Sequence, residues 1–391
     1  MEALIIASAT RNAWAIPFLL SRAGFCVDVV TRSPLLHLSK FTRDVYTVSP
    51  SQTVAEFAYD HIRDRARPYD WVIATEDTTL AALAALAWPP EFRPRHFPIA
   101  KEEVLGHVYS KIGLSRALSA GGIKTPAFRV ARTHAMAISA AREIGYPVLI
   151  KVDASAGGEG VHECGGEADL VARRHVFDAR PVLIQKKIQG VELDLSAIYF
   201  EGELVHFSYS TIERTRGPFG LSVVRSYYPS SLVEPEVFAE LTALGPVLGA
   251  DGFVAIGCIA AADRSGRYYF EADMRPTVWA DFSVFYGEDA APRIRNWFSA
   301  RTRLTKENAA PGGSACAPVT IPYFLRLGLL ELLTNRYGVW EFIPRADQSL
   351  VRRLLISKLC GHIFSAGRFM VPHKLRIAVR NRLLAAGVVF N

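Results

Sequence analysis

Residues 150–169, IKVDASAGGEGVHECGGEAD, place a lysine at the end of a strand-like run, turn through Gly157, Gly158 and Gly160, and resume at Val161. Pro147 leads straight into the strand candidate VLIKVD at 148–153. Glycines leave backbone amides unobstructed, so such a turn can approach phosphoryl oxygens closely. Residue order excludes two common phosphate loops. A GxxxxGK[ST] loop puts its lysine after the glycines, and no Gly-Lys-Ser or Gly-Lys-Thr follows here. A kinase-type glycine loop also precedes its lysine. A phosphate cradle over Lys151 and a bare hairpin turn both remain open on this stretch alone.

A second stretch, RYYFEADMR at 267–275, supplies what an opposite wall would need. Glu271 and Asp273 lie two residues apart on a strand, so both carboxylates point to one side, about 7 Å apart at Cα. Two carboxylates and Arg275 between apolar strands require solvent, partners or a metal. Magnesium with nucleotide phosphates meets that requirement, because it takes few protein carboxylates and fills its shell with phosphate and water. The alternative is an exposed edge closed by an Arg275 salt bridge.

Working outward, ALIIASA at 3–9, a helix over 11–24 and FCVDVVT at 25–31 read as a βαβ start, continued by a helix at 54–65, DWVIATE at 70–76 and a helix at 78–87. This alternation predicts an open parallel sheet with helices on both faces over residues 1–100. The first turn reads ASATRNAW, without the GxGxxG of a dinucleotide site. Pro89, Pro90, Pro94 and Pro98 mark a connection. Antiparallel-looking strands follow at 182–188, 193–200 and 203–210, then a helix at 234–251 and a hairpin at 253–275. The fold class expected is therefore α/β followed by α+β. Residues 323–333 and 347–360 read as helical, and 306–391 as a linker with a basic helical end.

The chain has 391 residues and a net charge of +7, much of it from residues 351–391, which carry eight Lys or Arg and no Asp or Glu. A packing helix, an oligomer contact, an acidic partner and a membrane surface all suit that asymmetry. No nucleic-acid motif accompanies it. Five scattered cysteines without a CxxC pair argue against a zinc site and fit a reducing cytoplasm. The N-terminus lacks signal-peptide order, and no run of 18 apolar residues spans a membrane, so a soluble protein is expected.

In combination, the glycine stretch after Lys151 and the EADMR strand resemble the ATP-grasp superfamily, and within it the carboxylate-amine ligases and carbamoyl-phosphate-synthase-like carboligases. The likeness covers residues 1 to about 300. It implies an ATP-grasp fold over 101–305 preceded by the open parallel-sheet domain, with 126–190 as a small lid lobe and 191–305 as the main lobe. It implies ATP and Mg2+ as cofactors, with Lys111, Lys151, Ser155, Gly157, Gly158 and Gly160 on the phosphates. Gln185, where a glutamate is common, and the backbone near Lys187 and Ile188 would read the adenine, and Glu192 the ribose. Glu271 and Asp273 would hold the metal, the aspartate replacing a usual asparagine. Arg275, with Arg214 and Arg216 from the basic loop ERTRGPFG at 213–220, would steady phosphoryl charge. The carboxylate expected on the preceding strand falls near Cys258, where no acid stands, so one magnesium with incomplete protein ligation is expected; Asp263 reaching in through a shifted register, or lost turnover, are the other outcomes, and Asp263 is expected to belong to the turn.

The reaction implied activates a small carboxylic acid as an acyl phosphate and condenses it with an amine or amino acid. Glu76, Asp77, Glu213, His162 and His206 are open choices for a base. Substrate selection is expected from the N-terminal domain and the loops near 214–225 and 276–290. The non-acidic Cys258 position keeps a nucleotide sensor without turnover as the alternative.

Overall fold

The computed structural model describes residues 1–98, 102–155, 157–177, 180–301 and 317–366. Three sheets organise them. The first is parallel, with β1 (Glu2–Ala7), β2 (Cys26–Thr31), β3 (Asp44–Thr47) and β4 (Trp71–Ala74) in the order β3-β2-β1-β4. Strands β1, β2 and β4 are almost wholly buried, as expected when helices cover both faces, while the edge strand β3 is not. Helix α1 (Ile16–Arg22) connects β1 to β2 and α2 (Val54–Arg63) connects β3 to β4, with a 3-10 segment between β2 and β3, and α3 (Asp77–Ala84) follows β4. The helix expected over 11–24 is shorter. Thr10–Asn12 forms a 3-10 turn, and the helix starts at Ile16 with Pro17 in its first turn. Arg11 therefore stands in a turn at the carboxyl end of β1.

Helix α4 (Lys111–Ala120) leads into a small antiparallel sheet of β5 (Phe128–Ala131), β6 (Val148–Val152), β7 (Val161–Cys164) and β8 (Val182–Lys186), ordered β5-β8-β6-β7. Strand alternation splits its two faces. Val148, Ile150 and Ile184 join Ala137, Ala141 and Leu170 from α5 (His134–Ile144) and α6 (Glu167–Ala172) in a separate core. Leu149, Lys151 and Gln185 point the other way, into a cleft.

The large sheet has six antiparallel strands, β9 (Gly190–Phe200), β10 (Glu203–Thr215), β11 (Ser222–Tyr228), β12 (Gly252–Ala261), β13 (Arg267–Asp273) and β14 (Val319–Pro322), in the order β13-β12-β9-β10-β11-β14. Helix α7 (Pro235–Leu248) packs Val237, Leu241 and Leu244 against Leu193, Leu195 and Tyr199 on one face. The opposite face shares a core with the parallel sheet, α1 and α8 (Ala290–Ala300). Trp71 at the end of that sheet stacks on Phe253 of β12 at 5.1 Å between ring centroids.

Strand β14 stands where a linker was expected, and the helical reading of 323–333 is cut short. Residues 319–322 pair with the edge of β11, a partner invisible in local periodicity, and the helix that follows is confined to Leu329–Leu333. The terminal helix, Gln348–Ala366, agrees with its expected place, while the basic residues beyond 366 lie outside the described residues. No helix among the described residues is long and apolar enough to cross a membrane.

Buried Asp28 of β2 clamps the parallel sheet's edge. It accepts from Arg43 Nε at 2.9 Å and Nη2 at 2.6 Å and from the Tyr69 hydroxyl at 2.7 Å. Although burial opposes ionisation, these donors hold its carboxyl below the usual range. Asp28→Ala leaves Arg43 without this buried partner, and a loss of about 3 kcal/mol is expected in urea unfolding, with the deficit shrinking as pH falls through the carboxylate's depressed pKa.

Candidate active site

The cleft between the small and large sheets has a volume of about 320 Å3. Its upper wall begins at α4. Ser110 caps the helix, accepting from Gly113 N at 2.9 Å, and donates to Asp153 at 3.1 Å. Asp153 also accepts from Ile112 N at 3.2 Å, so the root of the glycine loop is tied to the helix that carries Lys111. Lys111 Nζ donates to the Ser155 carbonyl and, at 3.1 Å, to Ser155 Oγ. Ala156, within the loop, lies outside the described residues.

Gly158 and Gly160 have φ of +82° and +76°, a conformation side chains resist. A Cβ on Gly158 would also stand 1.9 Å from the Phe219 carbonyl oxygen. The loop therefore lies directly against the 216–220 turn. Val152 N donates to Gly160 O at 2.9 Å and closes the hairpin beside Lys151.

Lys151 is buried, with its ammonium 4.6 Å from the Phe270 ring centroid. Burial pushes its pKa down to about 8, with Lys111 adding to the effect and Glu271 opposing it. Gln185 is buried on the same wall, and its Nε2 has no partner. Lys187, Ile188 and Gln189 connect β8 to β9 outside any strand and line the cleft. The Lys187 ammonium pairs with Glu163 at 2.6 Å and its backbone N–H donates to the Pro147 carbonyl at 3.2 Å, leaving its carbonyl as the part available to a ligand. Glu192 lines the floor, its pKa raised by burial and then by Glu271 and Asp194.

The lower wall is β13. Glu271 and Asp273 point to one face, and Arg275 lies between two carboxylates, Asp273 at 2.6 Å and Asp77 at 2.7 Å. Burial, then Asp77 and Glu271, pushes Asp273 well above the ordinary carboxyl range against the pull of Arg275. Among the described residues no three His, Cys, Asp or Glu side chains converge as a metal cluster. The pair still suits a hard cation that takes its remaining ligands from phosphate and water, because both carboxylates line the same cleft as Lys111 and Lys151.

The expected position of the missing acid needs correction. Gly257, not Cys258, lies opposite Glu271, because a bulge inserts Phe270 between the pairs Cys258–Tyr269 and Gly257–Glu271. Cys258 points into the core under α7, and burial pushes its thiol up. Asp263 stays in the turn, accepting from Ser265 N at 2.9 Å. The next strand in that row supplies Asp194, opposite Gly257.

Arg214 and Arg216 are not brought to the cleft. Glu331 holds Arg214 through both terminal nitrogens, Nη2 at 3.1 Å, and Arg216 is exposed, donating to the Arg326 carbonyl at 3.0 Å. β10 runs on to Thr215, farther than its apolar pattern suggests, and carries Arg214, with Arg216 just beyond its end, past the phosphate wall toward the C-terminal segment. His206 is buried, and its pKa is pushed down to about 3, so it is neutral. Glu76 accepts from Ser8 N and Ala9 N at 3.0 and 3.1 Å, which fixes the first turn. Sequence reading passed over Asp153 and Asp194, although each lies two residues beyond a singled-out residue, Lys151 and Glu192, on an alternating strand pattern.

Comparison with known proteins agrees with this geometry. Residues 115–191 match the family model "Carbamoyl-phosphate synthase L chain, ATP binding domain". The carbamoyl phosphate synthase large chain of Streptomyces coelicolor is 26% identical over 195 residues, 48% of this chain but 17% of that protein, so the chain spans a small part of that relative's length. The biotin carboxylase domain of Hydrogenobacter thermophilus 2-oxoglutarate carboxylase superposes with a TM-score of 0.62 at 17% identity, covering 78% of this chain and 71% of that one. An N5-carboxyaminoimidazole ribonucleotide synthetase gives 0.57 at 16% identity over 74% and 72% of the two chains. An L-amino acid ligase from Bacillus licheniformis gives 0.54 at 16% identity over 82% and 78%.

The chain has the ATP-grasp fold. Within an ATP-grasp architecture the cleft between the two antiparallel sheets is the space the fold encloses, and an open parallel sheet precedes it here. Gly158→Ala places a methyl inside the contact with Phe219. We expect a loss of about 2 kcal/mol or an opened loop, read as faster limited proteolysis within residues 153–161.

Proposed function

We propose that the chain is an ATP-dependent ligase that activates a small-molecule carboxylate and joins it to an amine, forming a C–N bond. One observation carries this reading: Lys111, Lys151 and the glycine loop face Glu271, Asp273 and Arg275 across a single cleft. Solved structures that share its fold include a biotin carboxylase domain with MgADP and bicarbonate and a synthetase with ADP. The small sheet acts as the lid lobe and the large sheet as the main lobe.

Lys111, Lys151, Ser155 and the amides of Gly157, Gly158 and Gly160 bind the nucleotide phosphates, while Glu192 takes the ribose. Gln185 and the backbone of Lys187 and Ile188 hold the base, for which the unpartnered Gln185 Nε2 is a ready donor. Glu271 and Asp273 hold magnesium, which when bound supplies neutralisation of phosphate charge. Arg275, fixed by Asp77 and Asp273, orients the transferring group.

A carboxylate oxygen of the substrate bonds to the γ-phosphorus as the β–γ bridging oxygen leaves with its electron pair, giving an acyl phosphate and ADP. The amine nitrogen then attacks the acyl carbon, phosphate departs, and the amine loses a proton to solvent or phosphate. No base is required for the first step, so positioning and charge carry it.

ADP release with magnesium, pooled carboxylic acids and amino acids, followed by mass analysis of the product, tests the reading. Lys151→Met and Glu271→Gln are each expected to lower ADP release at least about 100-fold with an unchanged melting temperature. Wild-type turnover in both would sink the site. The Gly257 position favours one second reading, a sensor that binds ATP without forming product. Tight ATP binding with no ADP from any pool would select it.

The depressed pKa of Lys151 sets a further expectation. In the free protein its proton is lost as pH rises past about 8, and bound phosphate restores it toward the ordinary 10.5. Nucleotide binding at pH 9 should therefore take up a proton, seen as a buffer-dependent enthalpy in calorimetry, and the uptake should vanish in Lys151→Met.

A further inference from the structure

Beyond the magnesium pair, the same sheet face carries an excess of cations. Glu271 pairs with Gly257, Gly257 with Asp194, Asp194 with Ser210 and Ser210 with Tyr227, so these residues share a face, together with Arg225 two positions from Tyr227. Asp194 is two strand spacings from Glu271, or about 10 Å. Arg225 is 3% exposed and reaches back to Asp194 Oδ2, with Ser222 Oγ accepting from its Nε at 3.0 Å. Its guanidinium lies 4.5 Å from the Trp279 ring centroid, and its Nη1 is buried with no partner.

Arg326 joins this group through the same residue, donating from Nη1 to the Ser222 carbonyl at 2.6 Å. Its own carbonyl accepts from Arg216. Arg11 approaches from the first domain, whose Trp14 donates to the Tyr323 hydroxyl at 3.0 Å beneath Arg326. Among the described residues Arg11, Arg216 and Arg326 have no carboxylate within 4.0 Å, and Asp194 answers only Arg225. Burial, with Arg225, Arg11 and Arg216 nearby, pushes Arg326 down to about 10. Like charges gathered in a partly desolvated corner are costly until an anion joins them.

We propose that the carboxylate substrate carries a second anionic group, a carboxylate or a phosphate, clamped by Arg225 and Arg326 and closed over by Arg11 and Arg216. This rests on the ligase reading, since it assigns the substrate class of that site. The first carboxylate meets the phosphoryl end near Glu271 and Arg275. The second group lies where Arg225 reaches back to Asp194, about 10 Å along the sheet from Glu271, and the transferring phosphoryl group and a short dianion together fill that span. Trp279 and Tyr323 stiffen the two inner guanidiniums by stacking, which favours planar, forked recognition over a single point contact.

The test is calorimetry of the full chain with magnesium and a non-hydrolysable ATP analogue, titrating succinate, 3-phosphoglycerate and butyrate. Succinate and 3-phosphoglycerate, each with two anionic groups, should bind at least 10-fold tighter than butyrate with one, and the tighter of the two identifies the second group. Arg326→Gln should lower dianion affinity at least 10-fold and leave butyrate unchanged. Arg11→Gln, at an exposed position without a structural partner to lose, should do the same and guards against a folding artefact. Equal affinity for all three acids, or unchanged dianion affinity in both variants, overturns the proposal. ADP release run in parallel separates the two readings. A dianion preference without any ADP leaves the clamp standing and removes the ligase.

Discussion

Arg275 is the constraint on which the site depends. It follows the last strand of the hairpin, and its two carboxylate partners come from different parts of the fold, Asp273 from β13 of the large sheet and Asp77 from the start of α3, just after the parallel sheet's β4. A guanidinium in so enclosed a place needs both. The pairing fixes Asp273 beside Glu271 and locks the carboxyl end of the parallel sheet to the main lobe. The first domain is thus part of the cleft's floor, and Arg11 is carried to the same region by the neighbouring turn.

The opposite wall is held by a different device. Asp153 accepts from the cap of α4 and Lys111 grips Ser155, so both ends of the loop's root are tied before any ligand arrives. Lys151 stands behind that root in apolar surroundings, where Phe270 supplies a ring face in place of a counter-ion. A cation kept short of partners retains its attraction for phosphate, since no resident carboxylate has to be displaced.

Local pattern carried much of this into the sequence. The glycine loop, Lys151 and the alternating acids of EADMR were legible because strand period 2 and positive-φ turns leave marks within a few residues. What escaped depends on pairing between distant strands. The bulge at Phe270 moves the vacant acidic position from Cys258 to Gly257, and no count along the chain reveals an inserted residue. The edge strand at 319–322 exists because β11 offers it hydrogen bonds. Arg214 and Arg216 share a basic loop motif, yet Glu331, far along the chain, decides where Arg214 goes.

The contact between Gly158 and the Phe219 carbonyl has a kinetic meaning. The glycine loop is sandwiched between the cleft and the 216–220 turn, and that turn is tied through Arg216 to the carbonyl of Arg326. Any lifting of the loop to admit a nucleotide must first disturb the turn that borders the arginine corner. An occupied corner would brace the turn and keep the loop down. If the proposed acid binds that corner, the same contact would favour nucleotide entering before acid and leaving after it.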